Sequence, residues 1–249
     1  MLAGWLARGL PASAVWVVDP KPSDWLQSTG VNLNAKLPAA PAVVLVAVKP
    51  QMMAEALPTL QAMGNGDTLF VSVAAGTTIG YFESILGVET PIVRAMPNTP
   101  AAISKGITAI VGNAKAGDRS LDEAEALLSA VGEVVRLQDE AQIDAVTGVS
   151  GSGPAYVFHM IECMAAAGVA QGLPEDLALQ LAKATVAGAG ALAMEAEEDP
   201  GQLRVNVTSP NGTTQAALEV LMDAQNGFPA LLDRAVSAAA DRSRELANG

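Results

Sequence analysis

The chain has little of the chemistry that disulfide scaffolds and metal centres need. Its 249 residues include one cysteine, Cys163, and one histidine, His159. One cysteine cannot form a disulfide within the chain, and no Cys/His/Asp cluster has the spacing of metal ligands. Cys163 lies in an apolar helical pattern, which predicts a buried, unreactive thiol and a reducing, cytoplasmic location. His159, in the same pattern, is interpreted as packed or hydrogen-bonded rather than as a general acid.

Basic residues are also scarce. There are 14 Lys and Arg against 26 Asp and Glu, which gives a net charge of -12. Such a surface repels nucleic acid and anionic membranes, so neither is an expected partner. No basic stretch precedes the apolar amino end, as a signal peptide requires, and the uncharged residues 184–194 fall short of the roughly 20 that cross a bilayer. We therefore expect a soluble protein.

The first part of the chain alternates between strand and helix patterns. Half of all residues are hydrophobic, which suffices for one large core or two modest ones. Short β-branched runs predict strands at residues 15–18, 43–48, 69–73, 92–94, 107–111 and 134–137. Helical patterns lie between them at residues 52–63, 78–86 and 120–130. This alternation predicts an α/β, Rossmann-like domain with a mainly parallel sheet over residues 1–138.

Beyond residue 138 the periodicity is only helical. Helices are predicted at residues 154–171, 174–195, 214–225 and 229–247, so residues 139–249 should form a second, all-helical domain. Residues 184–193 are nearly all Ala, Gly, Val and Thr, which lets a neighbouring helix approach closely. We expect this domain to form a homodimer, or a higher homo-oligomer built from dimers.

A dinucleotide-binding domain should open with a strand, a glycine-rich turn and a helix, with a ribose-binding acid about 20 residues later. Asp19 follows the first predicted strand and fits that acid, and residues 2–10 predict the helix. Counting back from Asp19 places the glycine turn at or before Met1. The first strand and most of the glycine-rich loop are therefore expected to be missing from this sequence.

The segment VTSPNGTT, residues 207–214, predicts an anion site at the start of a helix. Pro210 and Asn211-Gly212 favour a turn, and Thr213 or Thr214 can cap the helix that follows. The first backbone N–H groups then point outward at the positive helix end, where a small carboxylate fits. Taken alone, the segment is also typical of an ordinary capped helix start.

An ordered set of motifs, this one included, resembles the pyrroline-5-carboxylate reductase family. The motifs are AVKPQ at 47–51, VSVAAGTT at 71–78, RAMPNTP at 94–100, TGVSGSGPAY at 147–156 and PGQLRVNVTSPNGTTQAAL at 200–218. The resemblance extends from Met1 to about residue 246. The chain departs from the family in starting after the first strand and G-x-G-x-M turn, and in having Asn211 where Gly is commoner. Asparagine also tolerates a left-handed conformation, so the turn should persist.

The resemblance implies an oxidoreductase that passes a hydride from NADPH or NADH to the C=N bond of 1-pyrroline-5-carboxylate and gives L-proline, the last step of proline biosynthesis. No metal is implied. The substrate carboxylate would bind the N–H groups of Gly212, Thr213 and Thr214, and Ser209 would add a hydroxyl. The Thr214 hydroxyl would face the ring nitrogen as the catalytic group. The site is expected between the domains, with the partner subunit completing it.

Two further residues, Thr147 and Glu197, are implied to line the substrate site and to order its loop. The cofactor would lie along the carboxyl ends of the strands. Asp19 favours NADH through the ribose hydroxyls, whereas Lys21 can pair with the 2′-phosphate of NADPH, so the preference stays open. The implied cofactor-binding residues are Asp19, Val48, Lys49, Pro50, Ala74, Ala75, Gly76, Met96, Pro97, Asn98 and Asn206.

Two alternatives remain beside this interpretation. One is a β-hydroxyacid dehydrogenase, a class of enzyme that pairs a similar first domain with a helical second one. Those enzymes carry a catalytic lysine on the long interdomain helix, but residues 155–171 contain no lysine here and Lys183 lies on the following helix. The other alternative is a truncated, catalytically inactive scaffold or binding protein of the reductase family, because the missing loop would supply donors to the pyrophosphate.

Overall fold

The computed structural model describes residues 1–248 of the chain. The chain forms two compact units. The first contains Met1–Gly151 and Ala240–Gly249, and the second contains Ser152–Ala239. The last helix thus begins in the second unit and ends in the first. The predicted domain boundary at residue 138 follows the last strand and stays a prediction.

The first unit is built from short helices and seven strands. In chain order the elements are α1 (Leu2–Ala7), β1 (Trp16–Val17), α2 (Asp24–Ser28), β2 (Asn32–Leu33), β3 (Val43–Val46), α3 (Met53–Ala56), β4 (Leu69–Ser72), α4 (Ile79–Leu86), β5 (Ile92–Met96), β6 (Gly106–Gly112), α5 (Asp118–Leu128), β7 (Gly132–Arg136) and α6 (Gln142–Val146). Strands β1 and β2 form a parallel pair, and the others form a sheet in the order β3-β4-β5-β6-β7. Only β5 and β6 are antiparallel neighbours in that sheet. The predicted α/β class with a mainly parallel sheet is confirmed.

Strand β4 shows why this sheet is buried on both faces. All four of its residues are buried. Phe70 packs into one hydrophobic cluster with Phe82 of α4, while Leu69 and Val71 pack into another with Leu128 of α5. Helices on both faces explain why the strand is a continuous apolar run rather than an alternating one.

Two helix predictions in this unit are too long. Of the helix predicted at residues 52–63, only α3 is α-helical, with tighter 3-10 turns at Pro50–Met52 and Leu57–Met63. Pro58 explains the change, because it has no N–H for the α-helical ladder. The helix predicted at residues 2–10 ends at Ala7, and Gly9 then adopts a φ of 96°. The two-residue strand β2 was missed because it is too short to show periodicity.

The second unit contains four helices and the greater part of a fifth. They are α7 (Gly153–Ala170), α8 (Glu175–Glu195), α9 (Pro200–Asn206), α10 (Thr213–Leu221) and α11 (Phe228–Asn248). Helix α9 was not predicted, although Asp199 caps it by accepting the Gln202 N–H at 3.0 Å and Pro200 begins it. Helix α10 stops at Leu221, before the predicted residue 225. The Asp223 carboxylate accepts the N–H groups of Asn226 and Gln225 in a turn there, which lowers the pKa of Asp223.

Helices α7 and α8 leave much apolar surface exposed. A β-carbon added at Gly168 would lie 3.2 Å from the Ala178 β-carbon, so small residues let the helices pack closely. Ala178 and Ala182 are buried, but several large apolar side chains are exposed: Val157, Phe158, Met164, Val169, Leu177, Leu181, Leu192 and Met194. By length and composition alone, α8 could cross a membrane, with a mean hydropathy of 1.4. The prediction from sequence had tested only the uncharged residues 184–194 of this helix against the length needed to cross a bilayer.

The prediction of a buried Cys163 is wrong, because its thiol is exposed in the single chain. The apolar pattern of α7 was interpreted as core, yet part of that helix faces outward. The hydrogen-bonded interpretation of His159 is confirmed. Its Nδ1 lies 3.0 Å from a carboxylate oxygen of Glu162, and its Nε2 lies 3.6 Å from the Cys163 Sγ.

Candidate active site

Three strand ends at one edge of the sheet bring most of the predicted cofactor residues together. Strands β3, β4 and β5 are parallel, with Val46 opposite Ser72 and Ser72 opposite Arg94. Their carboxyl ends therefore lie side by side, as in sheets that bind nucleotides. The segments that follow them are Val48, Lys49 and Pro50 after β3, Ala74, Ala75 and Gly76 after β4, and Pro97 and Asn98 after Met96, the last residue of β5.

The segment after β4 has the form that a dinucleotide needs. No side chain from Ala74 to Gly76 extends beyond a methyl group, so a ligand can approach the backbone closely. Gly76 has a φ of 71°, a conformation that favours glycine. A β-carbon there would lie 3.0 Å from the β-carbon of Leu246, in the last turns of α11. Those turns are fixed where the Ser243 hydroxyl donates to Asp144 at 2.6 Å.

Asp19, the candidate ribose ligand, is held at the end of β1 by Asn34. The Asp19 N–H donates to Asn34 Oδ1, and Asn34 Nδ2 donates to the Asp19 carbonyl, both at 2.9 Å. The Asp19 carboxylate accepts the Lys21 N–H at 2.8 Å. These contacts orient a carboxylate at a strand end, where Rossmann-like sheets bind a ribose, so an acceptor for ribose hydroxyls is available there. The sequence did not predict the part played by Asn34.

Met96 and Thr147 meet at Gly151. A β-carbon on Gly151 would lie 2.5 Å from Met96 Cε and 3.7 Å from Thr147 Cγ2. The Thr147 hydroxyl donates to the Ile143 carbonyl at 2.8 Å. Asn98, two residues beyond Met96, accepts the N–H of Ile107 at 3.0 Å. The side-chain oxygen of Asn98 therefore supports β6, and the side-chain NH₂ group is the part that can reach a ligand.

The candidate anion site lies at the start of α10. Asn211 has a φ of 59°, and its N–H donates to the Gln215 side chain at 2.7 Å. The helix begins at Thr213, with Gly212 as its N-cap and no side-chain cap. The prediction that Thr213 or Thr214 caps the helix is therefore wrong, because the turn places both inside the first turn of the helix.

This start of α10 leaves donors for an anion. Within residues 1–248, the N–H groups of Thr213, Thr214 and Gln215 have no protein hydrogen-bond partner. The Gly212 N–H is different, because it donates to the Ser209 carbonyl at 3.0 Å. Three N–H groups at the positive end of a helix suit one small carboxylate.

A groove of about 430 Å³ lies beside this turn, between α9 and α10. It is lined by Arg204, Val205, Thr208, Gln215, Leu218, Glu219 and Met222. Asn206, the last residue of α9, accepts from the Gln202 side chain at 2.7 Å. Glu197 is exposed just before α9. The two residues and the anion site all belong to the second unit, whereas the other predicted site residues belong to the first.

Sequence reasoning missed one part-buried ion pair beside the strand ends, in which the side chain of Arg94 is 6% exposed and that of Glu140 is 28% exposed. Arg94 Nη1 lies 2.6 Å from Glu140 Oε1, and the same oxygen accepts the N–H of Ile79 at 2.9 Å. The two charged residues are 46 positions apart, so no local pattern joins them. The one available signal was an arginine inside an apolar strand, because a buried arginine needs a partner.

Comparisons with known proteins agree with one another. The family model described as pyrroline-5-carboxylate reductase dimerisation matches residues 140–246. The pyrroline-5-carboxylate reductase of Pseudomonas aeruginosa is 42% identical over 253 residues, which cover 99% of this chain and 92% of the relative.

Two solved structures share the fold over nearly the whole chain. A pyrroline-5-carboxylate reductase from Coxiella burnetii has a TM-score of 0.91 at 33% identity, covering 98% of this chain and 93% of that one. The Plasmodium falciparum pyrroline carboxylate reductase, solved with NADP bound, has a TM-score of 0.85 at 26% identity, covering 98% and 92%.

Proposed function

This chain belongs to the pyrroline-5-carboxylate reductase family, and we propose that it performs the reaction for which that family is named. It is an NAD(P)H-dependent oxidoreductase of proline biosynthesis. A hydride passes to the carbon of the C=N bond in 1-pyrroline-5-carboxylate, the ring nitrogen gains a proton, and L-proline is released. The observation that carries the assignment of the substrate site is the set of unpartnered N–H groups from Thr213 to Gln215.

The substrate carboxylate binds at the start of α10. The N–H groups of Thr213 and Thr214 donate to it, while the nearby Ser209 hydroxyl adds a further donor. Gly212 contributes by having no side chain that would fill the site. It does not donate to the carboxylate, because its own N–H donates to the Ser209 carbonyl oxygen. Glu197 and Thr147 complete the proposed substrate set, Glu197 by ordering the loop before α9 and Thr147 by lining the site beside Met96.

The proposed catalytic residue is Thr214. Its hydroxyl faces the ring nitrogen and donates a hydrogen bond to it, which stabilises the electron pair that the nitrogen gains as the hydride reaches the carbon. Solvent supplies the proton that completes the product amine. The bound carboxylate fixes the ring, so the imine carbon meets the hydride donor at contact distance, and this positioning supplies most of the rate. A bound nicotinamide cofactor supplies the hydride.

The cofactor, NADPH or NADH, lies along the strand ends in the first unit. Asp19 receives the ribose, and the short residues from Ala74 to Gly76 admit the backbone contacts. Val48, Lys49 and Pro50 border it after β3, and Met96, Pro97 and Asn98 border the nicotinamide. Asn206 is the one proposed cofactor residue of the second unit.

The proposed assembly is a homodimer, or a larger homo-oligomer built from dimers. The family's dimerisation segment covers α7 and α8, whose apolar side chains are exposed in the single chain. A second copy, rather than a lipid bilayer, is therefore the proposed partner of α8. We place the protein in the cytoplasm, because its one cysteine suits a reducing compartment. We propose no nucleic-acid or membrane partner, because the net charge of -12 repels both phosphate backbones and anionic lipids.

Steady-state oxidation of NADPH and NADH with 1-pyrroline-5-carboxylate tests this function. We expect turnover by the chain as given, and a Ser209→Ala variant that raises the KM for the pyrroline by about tenfold. Turnover without any effect of Ser209→Ala contradicts the substrate site. Cofactor binding without turnover supports the inactive scaffold instead.

A further inference from the structure

The ion pair of Arg94 and Glu140 joins two separate segments of the proposed cofactor edge. Arg94 lies in β5, two residues before Met96, and its side chain is 6% exposed. The oxygen of Glu140 that it contacts also accepts the Ile79 N–H, at the first residue of α4. Ile79 directly follows the loop that starts at Ala74. One carboxylate oxygen therefore connects the end of β5 to the end of that loop.

Other contacts fix the rest of the loop. Thr78 caps α4 by accepting the N–H of Tyr81 at 3.2 Å. At the other end, the buried Ser72 hydroxyl accepts the N–H of Ala74 at 3.3 Å. Ser72 lies directly opposite Arg94 in the sheet. Among the residues that the structure describes, the Ile79 N–H and the buried Arg94 charge have no partner other than Glu140.

Glu140 itself lies in a hydrogen-bonded turn after β7. The Gln142 side chain accepts the N–H groups of Gln138 and Asp139, at 3.0 and 3.2 Å. The Asp139 carboxylate accepts the N–H of Ala141 at 2.8 Å. Hydrogen bonds therefore constrain the backbone on both sides of Glu140, which favours one position for its carboxylate.

We propose that Glu140, held by Arg94, is a positioning residue for the cofactor. It sets the loop from Ala74 to Thr78 against the end of β5, so that both segments meet the nicotinamide half of the dinucleotide in one geometry. This inference rests on the proposed function. A role in stability alone is the competing explanation. Replacing both charged side chains by apolar ones separates the two explanations, since such a replacement of a buried ion pair often leaves stability unchanged.

The test compares three variants by cofactor binding and by thermal unfolding. Glu140→Gln keeps an acceptor but removes the charge. The double variant Arg94→Met/Glu140→Met removes both charges at similar volume, and leaves the Ile79 N–H unpaired. Arg136→Gln is the control, because it breaks an ion pair with Asp122 and Glu125 in the same unit. The Kd for NADPH is measured by fluorescence titration, and kcat and both KM values by NADPH oxidation.

We expect the Kd for NADPH to rise about tenfold or more in both Glu140 variants. A small displacement of the loop from Ala74 to Thr78 is enough to misplace the groups that contact the cofactor. The KM for the pyrroline should stay within about twofold, and Arg136→Gln should match the wild type. A double variant with the wild-type Kd for NADPH overturns the proposal, whatever its melting temperature. If the wild type itself neither binds nor oxidises NADPH, the proposed function fails instead.

Discussion

The Cε methyl of Met96 lies so close to Gly151 that a β-carbon on Gly151 would stand 2.5 Å from it. No real β-carbon tolerates that distance, but a methionine end is flexible and can turn away. Met96 is proposed to border the nicotinamide, and Thr147 flanks the same glycine. The absence of a side chain at Gly151 therefore determines where Met96 lies.

Replacing Gly151 by Ala should move Met96 with little loss of stability. We expect kcat/KM for NADPH to fall about tenfold, because a displaced neighbour misplaces the nicotinamide. Gly153→Ala is the matched control, since a β-carbon there would meet nothing within 4 Å. Steady-state kinetics of the two variants decide the question. Equal kinetics for both would remove Met96 from the cofactor site.

Replacing Thr214 by Val tests the proposed catalytic hydroxyl. We expect kcat to fall about 100-fold, as for loss of a donor that stabilises developing charge. The KM for the pyrroline should change less, because the backbone N–H groups remain. Thr208→Val is the control, since the Thr208 hydroxyl already donates to the Arg204 carbonyl at 2.6 Å. If Thr214→Val and Thr208→Val have the same kcat, the Thr214 hydroxyl takes no part in the chemical step.

Asn211 should accept glycine better than alanine. Its φ of 59° is left-handed, which costs an alanine about 1 kcal/mol and costs glycine little. Asn211→Gly should keep kcat/KM within about twofold. Asn211→Ala should lower the free energy of unfolding by about 1 kcal/mol, measured in urea, and should raise the KM for the pyrroline. The account is contradicted if the alanine variant is as stable and active as the glycine variant.

Gly76→Ala should weaken the proposed cofactor loop. The residue has a φ of 71°, and a β-carbon would lie 3.2 Å from the Leu246 carbonyl oxygen. We expect the free energy of unfolding to fall by about 1–2 kcal/mol from the left-handed backbone alone. The Kd for NADPH should rise as well. Gly80→Ala, on the exposed face of α4, is the control, because nothing lies within 4 Å there. Unfolding midpoints and NADPH titrations of the two variants should diverge. Equal Kd values would argue against a cofactor contact at this loop.

Local patterns in the sequence were enough to predict most of the fold. The buried strand β4 was visible as a continuous apolar run and the amphipathic α4 as helical periodicity, and the motif PGQLRVNVTSPNGTTQAAL indicated both family and helix start. The start of α9 was overlooked, although Asp199-Pro200 is a typical helix start.

The contacts that the sequence could not predict join distant residues. Asn34 holds Asp19 from 15 positions away, and Glu140 pairs with Arg94 from 46 away. Nothing in either local pattern specifies the partner. The apolar faces of α7 and α8 illustrate a different limit. Composition predicts that an apolar face will be covered, but it does not tell whether the same chain or another molecule covers it. Cys163 on α7 was therefore predicted to be buried, although it is exposed in the single chain.

The most direct test of the reaction follows the hydride itself. The purified chain is incubated with 1-pyrroline-5-carboxylate and NADPH that carries deuterium at both hydrogen positions of nicotinamide C4, and the proline formed is analysed by mass spectrometry and NMR. We predict L-proline with one deuterium on its δ-carbon, the former imine carbon, in step with NADPH oxidation. The absence of proline, or proline without deuterium, would contradict the central claim.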